Sequence, residues 1–337
     1  GTPRSVDEQV FGDGAAALLL GDSDIIASIE DMYSISDDIT DVWRTDHDTF
    51  VRSWEDRWVL INGYTKNMKE AVSSIMKRQG LEPKDFAKVV FYSPDARSHV
   101  GLAKSLGFDP KTQLQDPLIT TVGNAGTAQP LILLISALQE AEAGDRILLA
   151  SYGDGSDAFI FRVTDAIEKV KNKQGVKGSI ESKMMLSSYE RYLAYRGLVS
   201  LPEEFIKLFP SASVMWRTKN WALSFHGGKC KQCGLVSFPI QRVCFSCRTR
   251  DEFEEVRLSD KKGKVFTYSL DNLAGGVDPP TVQTIVESEE GGARIYCLMT
   301  DCNPKEVKVE MPVEMTFRKF HKEGGFHNYF WKCRPVR

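Results

Sequence analysis

Thiols are absent from the first two thirds of this sequence. All seven cysteines lie at or beyond Cys230, so residues 1–229 offer no thiol for nucleophilic catalysis. Acidic residues are in slight excess over basic ones, and the formal net charge of −3 gives no general attraction to nucleic acid or to an anionic membrane. No apolar run approaches the roughly 20 residues that a membrane span needs, and the opening residues GTPRSVDEQ lack the apolar stretch of a signal peptide. These absences favour a cytoplasmic location.

The length of 337 residues favours two domains, and 42% hydrophobic with 26% charged residues is typical of a soluble globular protein. We predict the organisation from shifts in composition along the chain. It consists of an α/β domain over residues 1–164, a linker over 165–183, a helical connector over 184–229, a zinc ribbon over 230–250 and a small all-β domain over 251–337.

Apolar residues of the first region alternate between strand-like and helix-like spacing. The predicted elements are a glycine turn with a buried strand at 11–22 (FGDGAAALLLGD), an amphipathic helix at 64–79, a strand at 88–92, an apolar helix at 130–143 ended by Gly144, and a strand at 146–150. Strands that alternate with helices indicate an α/β layer with a largely buried sheet.

The segment 165–183 holds five lysines, no aromatic residue and two glycines, which predicts a solvated connector; a binding patch is the alternative. Helical periodicity returns over residues 184–196 and ends at Gly197. Beyond it come five short strand-like runs, which together predict a small β-barrel: residues 265–270, 281–287, 294–299, 313–317 and 329–333.

Two C-x-x-C pairs, Cys230 with Cys233 and Cys244 with Cys247, are separated by ten residues. In a reducing compartment such knuckles indicate metal binding before disulfides. Four thiolates complete the tetrahedral shell that Zn²⁺ prefers and leave no open position, so we predict a structural zinc site. Its expected role is to stabilise a small β-domain that buries little surface.

The last 21 residues of this sequence are rich in basic and aromatic side chains. Residues 317–337 hold six Lys or Arg against one Glu, interleaved with aromatics, as in single-stranded nucleic-acid sites on β-barrels. If the segment forms strands, half of its aromatics should point inward. The acidic overall balance disfavours a nucleic-acid partner.

Several stretches of residues 1–164 resemble the C-terminal half of the 3-hydroxy-3-methylglutaryl-CoA (HMG-CoA) synthase branch of the thiolase superfamily. They are FGDGAAALLLGD, the DVWR of residues 41–44, the FYSPDARSHVGLAKSLGF of residues 91–108, and the long stretch of residues 123–155 that starts with GNAGT. Residues from about 184 onward resemble the domain called DUF35, a zinc ribbon joined to an OB-fold, through CKQCGLVSFPIQRVCFSC, KGKVFTYS, PPTV and NYFWKCRP.

This resemblance implies acyl-CoA chemistry in which bonds between carbons are made or broken next to a thioester. The family takes up the acyl group on a cysteine of the N-terminal half, which this sequence lacks. A His and an Asn of the C-terminal half polarise the carbonyl. Asn124 matches, but Tyr92 stands where the family has His, and a phenol with an ordinary pKa near 10 is an acid or a donor at neutral pH. The residues alone favour a turn asparagine at Asn124, and they fit a buried tyrosine that ends a strand at Tyr92 as well as a catalytic one.

The same resemblance places the substrate or CoA beside Ser93, Gly123 and the turn Gly153–Asp154, where the family has G-S-G. Arg97 and Lys104 follow Tyr92 at a distance suited to the CoA phosphates, although exposed cations are commonly only solvated. His99 is expected on a helix surface, with a substitute acid as its alternative role.

Three functions remain open at this point. The first is an acyl-CoA enzyme of condensation, thiolysis or aldol cleavage that needs a partner carrying the cysteine-bearing half, as a homo- or hetero-oligomer. The second is a non-catalytic scaffold of an acyltransferase or aldolase complex. The third, disfavoured by charge, is a nucleic-acid-binding module.

Overall fold

A computed structural model of the chain describes residues 1–171, 175–199, 211–274, 277–323 and 326–337. The chain folds as two compact units, Gly1–Ser182 and Lys183–Arg337. In the described residues, no helix combines the length and the apolar character that crossing a bilayer requires.

The described residues of the first unit form six strands: β1 Ala27–Ser36, β2 Val42–Trp43, β3 Arg52–Ser53, β4 Lys88–Phe91, β5 Arg146–Tyr152 and β6 Gly155–Val163. Its helices are α1 Val6–Val10, α2 Asp56–Trp58, α3 Lys66–Gln79, α4 Ala96–Ser105, α5 Gln129–Glu140 and α6 Val176–Glu181. A π-helical turn at Val59–Thr65 joins α2 to α3, and 3₁₀ turns occur at Pro83–Asp85, Gly126–Ala128 and Asp165–Lys169.

A mixed four-stranded sheet in the order β1-β6-β5-β4 forms the centre of this unit. Strands β4 and β5 are parallel, and the other two pairs are antiparallel. Side chains of β5 alternate between two cores, because Leu148 and Ala150 pack with α3 whereas Ile147 and Leu149 pack with α5. The predicted α/β layer with a buried sheet is therefore confirmed, although the sequence patterns did not identify β1 and β6.

Both long predicted helices of the α/β unit are present. Helix α3 buries Met68, Ala71, Val72, Ile75 and Met76, the residues whose spacing predicted it, and ends at Gly80 with a φ of 64°. Helix α5 ends at Glu140 rather than at the predicted residue 143. The chain turns extended at Ala141, which is buried, and Gly144 lies in the following turn, where its N–H donates to the Val163 carbonyl.

The strand predicted at residues 11–22 is wrong. Only Phe11 makes a β-bridge, to Asn124, and residues 12–20 pair with no strand in the described part of the chain. Leu19 is fully exposed and Leu20 is 78% exposed. A strand of this composition is buried only when neighbouring strands and a covering layer are supplied, so an apolar run alone does not determine its burial.

Part of the predicted linker packs onto the first unit. Ile167 is buried in the core beneath α5, and the Thr164 hydroxyl caps the 3₁₀ turn Asp165–Lys169 by accepting from the Ala166 N–H. This part is therefore not the solvated connector we expected, because one apolar side chain anchors it. The lysines that led us to predict a connector follow Ile167 in the sequence, and one of them, Lys173, lies outside the described residues.

The second unit contains helices α7 Tyr189–Tyr195 and α8 Ala212–Ala222 and strands β7 His226–Cys230, β8 Val236–Ser237 and β9 Phe253–Arg257. Its remaining strands are β10 Lys262–Asp271, β11 Thr281–Ser288, β12 Arg294–Met299, β13 Pro312–Glu323 and β14 Phe326–Pro335, with a 3₁₀ turn at Pro304–Glu306. Helix α7 is shorter than the predicted 184–196, and part of the predicted connector, residues 200–210, lies outside the described residues.

Strands β10 to β14 close into a barrel in the order β10-β11-β12-β14-β13. The five predicted strand positions are thereby confirmed, with β13 and β14 longer than predicted. Strands β7, β8 and β9 form a separate sheet beside the cysteines. A cluster around Phe225, Val236, Leu258 and Ile295 joins this sheet to the barrel wall.

Replacing Leu148 by Ala is expected to destabilise the first unit by about 2–5 kcal/mol, because the side chain is fully buried between β5 and α3. Chemical denaturation of the full chain followed by circular dichroism measures the change. Leu19→Ala is the matched control, since an exposed leucine should change stability by less than about 0.5 kcal/mol. Equal midpoints for the two variants would contradict this description of the core.

Candidate functional site

The two residues predicted to be catalytic are in contact. Tyr92 directly follows β4 and continues its pairing, because its N–H donates to the Ala150 carbonyl of β5. Asn124 comes from the loop before α5, and its Nδ2 donates to the Tyr92 hydroxyl oxygen over 3.1 Å. Residues 32 positions apart in sequence are therefore held together by a side-chain hydrogen bond.

Hydrogen bonds fix both the side chain and the backbone of Asn124. Its Oδ1 accepts from the Gly126 N–H at 2.9 Å, its own N–H donates to the Val10 carbonyl at 2.7 Å, and its carbonyl accepts from the Gly12 N–H at 3.0 Å. The side chain is 7% exposed. With Oδ1 already bonded, the amide orientation is set and Nδ2 faces Tyr92.

Two glycines permit this arrangement. A Cβ on Gly123, whose φ is 82°, would lie 2.8 Å from the Gly12 nitrogen and 2.9 Å from the Val10 carbonyl oxygen. A Cβ on Gly12 would collide with the Val122 carbonyl. The glycines of the FGDG and GNAG stretches therefore allow two backbone segments to cross where Asn124 is positioned.

Gly123→Ala is expected to lower the free energy of unfolding by about 1–3 kcal/mol, because the alanine meets both a left-handed φ and a backbone collision. Denaturant midpoints measure the loss. Gly101→Ala serves as the control, since its Cβ would lie in open space on helix α4 and should be neutral or stabilising. A Gly123 variant as stable as the Gly101 variant would show that the crossing does not constrain the chain.

The Tyr92 phenol is a proton donor rather than a base. Burial raises its pKa, the hydrogen bond from Asn124 opposes the rise, and the charge of Asp41 adds to it. The phenol therefore stays protonated across the neutral range. Because its oxygen accepts from Asn124, its own O–H remains available for an acceptor that enters the site.

Two further tyrosines surround Tyr92, and the sequence analysis did not predict either. The Tyr64 hydroxyl donates to the Tyr92 carbonyl at 3.0 Å. The Tyr152 ring lies 6.4 Å from that of Tyr92 and 5.7 Å from that of Tyr64. The signal for Tyr152 was its position at the carboxyl end of β5, since parallel strands β4 and β5 end at the same sheet edge.

The other residues predicted to bind substrate occupy different environments. Ser93 is fully buried, and its hydroxyl donates to the Asp95 carbonyl at 2.7 Å. Gly153 and Asp154 form the exposed turn between β5 and β6, where the Asp154 carbonyl accepts from the Asp37 N–H. Arg97 and Lys104 are exposed on α4, and their seven-residue spacing places them on the same helix face.

His99 is not the surface residue that the sequence suggested. It is 1% exposed, because α4 turns this side chain inward, where the ring hydrogen-bonds the Phe91 backbone. Burial lowers its pKa to about 4, so the imidazole is neutral at physiological pH and cannot serve as an acid there.

The four knuckle cysteines converge in the second unit. Their sulfurs lie within 4.8 Å of one another, with 3.5 Å between Cys230 and Cys247 and between Cys233 and Cys244. Tetrahedral zinc with bonds of about 2.3 Å requires sulfurs about 3.8 Å apart, which fits this cluster. Thr249 hydrogen bonds lower the pKa of the Cys247 thiol to about 6, favouring a thiolate. The predicted cysteine cluster is confirmed.

The aromatics of the last two strands do not alternate inward as expected. Phe317, Phe320, Phe326 and Tyr329 are all at least 40% exposed. Phe317 stacks on Tyr329 at 5.8 Å and contacts Trp331 at 5.2 Å. Over the described residues 315–323 and 326–331, the β13–β14 hairpin pairs only with itself, so these rings have no barrel interior to enter.

Comparisons with known proteins agree with both units. Residues 76–162 match the family model of the 3-oxoacyl-[acyl-carrier-protein] synthase III C terminal, and residues 255–318 match that of the ChsH2 C-terminal OB-fold domain. A curated relative, the hydroxymethylglutaryl-CoA synthase of Methanopyrus kandleri, is 35% identical over 175 residues, which is 51% of this chain and 50% of the relative. The chain thus spans about half the length of this relative.

Two solved structures also resemble parts of the chain. An HMG-CoA synthase complexed with CoA has a TM-score of 0.37 at 16% identity, covering 46% of this chain and 44% of that one. An Ltp2-ChsH2(DUF35) aldolase has a TM-score of 0.29 at 19% identity, covering 39% of this chain and 98% of that one. With the two family models and the closed barrel, the resemblance to a thiolase-type C-terminal half followed by a DUF35 OB-fold is confirmed.

Proposed function

We propose that this chain contributes the carbonyl-polarising side of a site that makes or breaks a carbon–carbon bond next to an acyl-CoA thioester. The observation that carries the proposal is the 3.1 Å hydrogen bond from Asn124 to Tyr92. It orients a protonated phenol whose O–H donates to no acceptor among the described residues. A donor of this kind stabilises negative charge as it develops on a thioester or ketone oxygen.

The proposed substrate class is a CoA thioester, because the curated relatives that match are named for CoA chemistry. The exposed cations Arg97 and Lys104 share one face of α4, which begins just after Tyr92, and they are suited to phosphate groups. Gly123 directly precedes Asn124, and the turn at Gly153 and Asp154 directly follows Tyr152, so both adjoin the cluster formed by Tyr64, Tyr92 and Tyr152. We assign Ser93 an indirect role in holding the Tyr92–Asp95 turn.

A nucleophilic cysteine, where the reaction needs one, comes from another half of the fold. Residues 1–229 contain no thiol, and the first unit holds a C-terminal-type half. We therefore propose a partner segment or subunit that supplies the rest of the site, in a homo- or hetero-oligomer.

The phenol at position 92 also bears on the reaction type. Tyrosine at this pKa donates a proton or a hydrogen bond but does not accept a proton at neutral pH. Aldol-type cleavage or addition needs a donor on one oxygen and a base on another, and no acylated cysteine. We therefore place aldol chemistry beside condensation and thiolysis among the candidate reactions.

The cysteine cluster is proposed to hold one structural zinc ion. All four donors are sulfur, so no ligand position remains for water or substrate. Zinc would tie the β7–β9 sheet to the knuckles and take no part in the chemistry.

A scaffold role is the second candidate, favoured by the exposed leucines of residues 18–20. An apolar, extended segment of this kind is suited to docking another polypeptide. In this case the α/β unit would bind its partner without contributing reacting groups.

Reconstitution separates the two candidates. The purified chain is mixed with a polypeptide carrying the cysteine-bearing half of the fold, and free CoA and carbonyl products are measured from a β-hydroxyacyl-CoA and from acetyl-CoA with acetoacetyl-CoA. The proposal predicts turnover that depends on Tyr92 and Asn124. Turnover insensitive to both residues would leave the scaffold role.

A further inference from the structure

A carboxylate lies beside the tyrosine cluster, and the comparisons assign it no role. Asp41 belongs to the loop between β1 and β2. This loop is fixed at Asp37, whose N–H donates to the Asp154 carbonyl and whose carboxylate accepts from the buried Asn67 amide at 3.0 Å. The loop therefore has a defined path along the edge of the site.

Ile39 brings the same loop onto Tyr152. Ile39 is buried, and a Cβ added to Gly63 would meet both its side chain and the Tyr152 hydroxyl. Gly63 lies in the π-helical turn before α3, a feature that is frequent at functional sites. Because Gly63 has no side chain, there is room for the Tyr152 hydroxyl at this position. Ile39, which adjoins the same space, is two residues before Asp41 in the loop.

Asp41 is half-buried and has no hydrogen-bond or ion-pair partner within the described residues. Burial is the main cause of the raised pKa of Tyr92 and of Tyr152, and the charge of Asp41 adds to both, so the carboxylate lies near enough to act on both phenols. Burial, and then the charge of Asp56, raise the pKa of Asp41 itself. A half-buried carboxylate without a cation beside it is more basic than an ordinary aspartate.

The Tyr152 hydroxyl is an unsatisfied polar group. Its oxygen is buried, and nothing in the described ranges hydrogen-bonds it. Burial, then the charges of Asp41, Tyr92, Asp154 and Asp37, raise its pKa to about 12, so it is a donor at neutral pH. Buried polar groups without partners are rare in folded proteins, so this hydroxyl keeps a hydrogen bond to donate, which suits a ligand oxygen.

From this geometry, and resting on the proposed function, we infer that Asp41 is the catalytic base of an aldol-type reaction on β-hydroxyacyl thioesters, with Tyr92 and Tyr152 as hydrogen-bond donors. The substrate class follows from the groups present. A carboxylate accepts the proton of a hydroxyl, and two phenols serve two substrate oxygens. This set of groups needs no thiol.

The reaction balances without an oxidant or a nucleophile from the protein. Asp41 takes the proton of the β-hydroxyl, whose O–H electron pair becomes the C=O π bond of the departing carbonyl compound. The pair of the Cα–Cβ bond passes to the thioester as an enolate, whose oxygen accepts from Tyr92, while Tyr152 donates to the oxygen of the carbonyl product. The proton on Asp41 then returns to Cα, giving a shortened acyl thioester. Read in reverse, the same steps are an aldol addition.

Asp41→Asn in the reconstituted mixture tests the inference. The expected result is a fall of about 10²–10⁴-fold in kcat/KM for cleavage of a β-hydroxyacyl-CoA. In the unsubstituted chain the rate should fall as the pH drops through the raised pKa of Asp41, and the variant should lose this acid limb. Asp38→Asn is the matched control, since this neighbouring carboxylate is exposed and should leave rate and profile unchanged.

A titration of the chain without substrate gives a second readout. Removing the charge of Asp41 should let tyrosines ionise at lower pH in ultraviolet difference spectra, and the effect should shrink when Tyr152→Phe is added. An Asp41 variant with an unchanged tyrosine titration, or with full activity and the acid limb intact, would overturn the assignment. If Tyr92→Phe abolishes turnover while Asp41→Asn does not, only the base is wrong; if neither matters, the proposed function falls as well.

Discussion

Tyr92→Phe is expected to lower kcat/KM for CoA-thioester turnover in the reconstituted mixture by about 10²–10³-fold. The change removes a single oxygen, so the ring keeps its packing against Tyr64 and Tyr152 while the O–H donor is lost. Since the proposed role of the hydroxyl is to stabilise developing charge, the loss should appear in kcat more than in KM.

Tyr33→Phe is the control for this prediction. Tyr33 lies on β1 in the same unit and packs against the core, and its hydroxyl has no place in the site. Its variant should retain full activity. A Tyr92 variant that turns over as fast as the Tyr33 variant would show that the phenol is a packing residue.

The activity at alkaline pH also tests whether the Tyr92 phenol acts as a hydrogen-bond donor. Because burial raises the pKa of Tyr92, the donor form should persist above the ordinary phenol pKa of about 10. Activity should therefore show no loss from this group between neutral pH and that value. A basic limb near pH 8 that disappears in the Phe variant would contradict the assignment.

Removing the metal is the second change with a large expected effect. Structural zinc in small domains binds with about 10–16 kcal/mol, and this free energy is coupled to folding. Loss of zinc should release the knuckles and expose the Phe225 and Val236 cluster that joins the β7–β9 sheet to the barrel. We expect Cys244→Ser, or a strong chelator, to lower the melting temperature of the second unit markedly.

Zinc content and thermal unfolding measure this effect together. The unsubstituted chain should carry one zinc ion, and the Cys244 variant less. Cys302→Ser is the control, since Cys302 lies outside the cluster and should retain both the metal and the melting temperature. Because the ligands must be deprotonated, zinc should also be released on acidification. A chain that melts identically with and without metal would disprove a structural role.

The second unit was largely predictable because its signals are local. The spacing of Cys230, Cys233, Cys244 and Cys247 is a property of two short turns, and the five barrel strands are bounded by turn residues. The segment at residues 11–22 failed for the opposite reason. Its burial depends on neighbours that the apolar run does not specify.

The hydrogen-bonded pair of Tyr92 and Asn124 was predicted through resemblance rather than from spacing, because no sequence pattern brings these residues together across 32 positions. The sequence did not indicate the proposed roles of Tyr152 and Asp41, because these depend on the convergence of a strand end and a loop. His99 was misplaced because a ten-residue helix without a strong apolar pattern does not reveal which of its faces meets the sheet.

A double-mutant cycle on kcat/KM tests the central claim most directly. If Asn124 acts by holding the Tyr92 hydroxyl, Asn124→Ala should cost little once Tyr92 is already Phe, so the double variant should be about as slow as the slower single variant. If the two losses simply multiply, the residues act independently, and the hydrogen-bonded pair is not the unit that acts on the thioester.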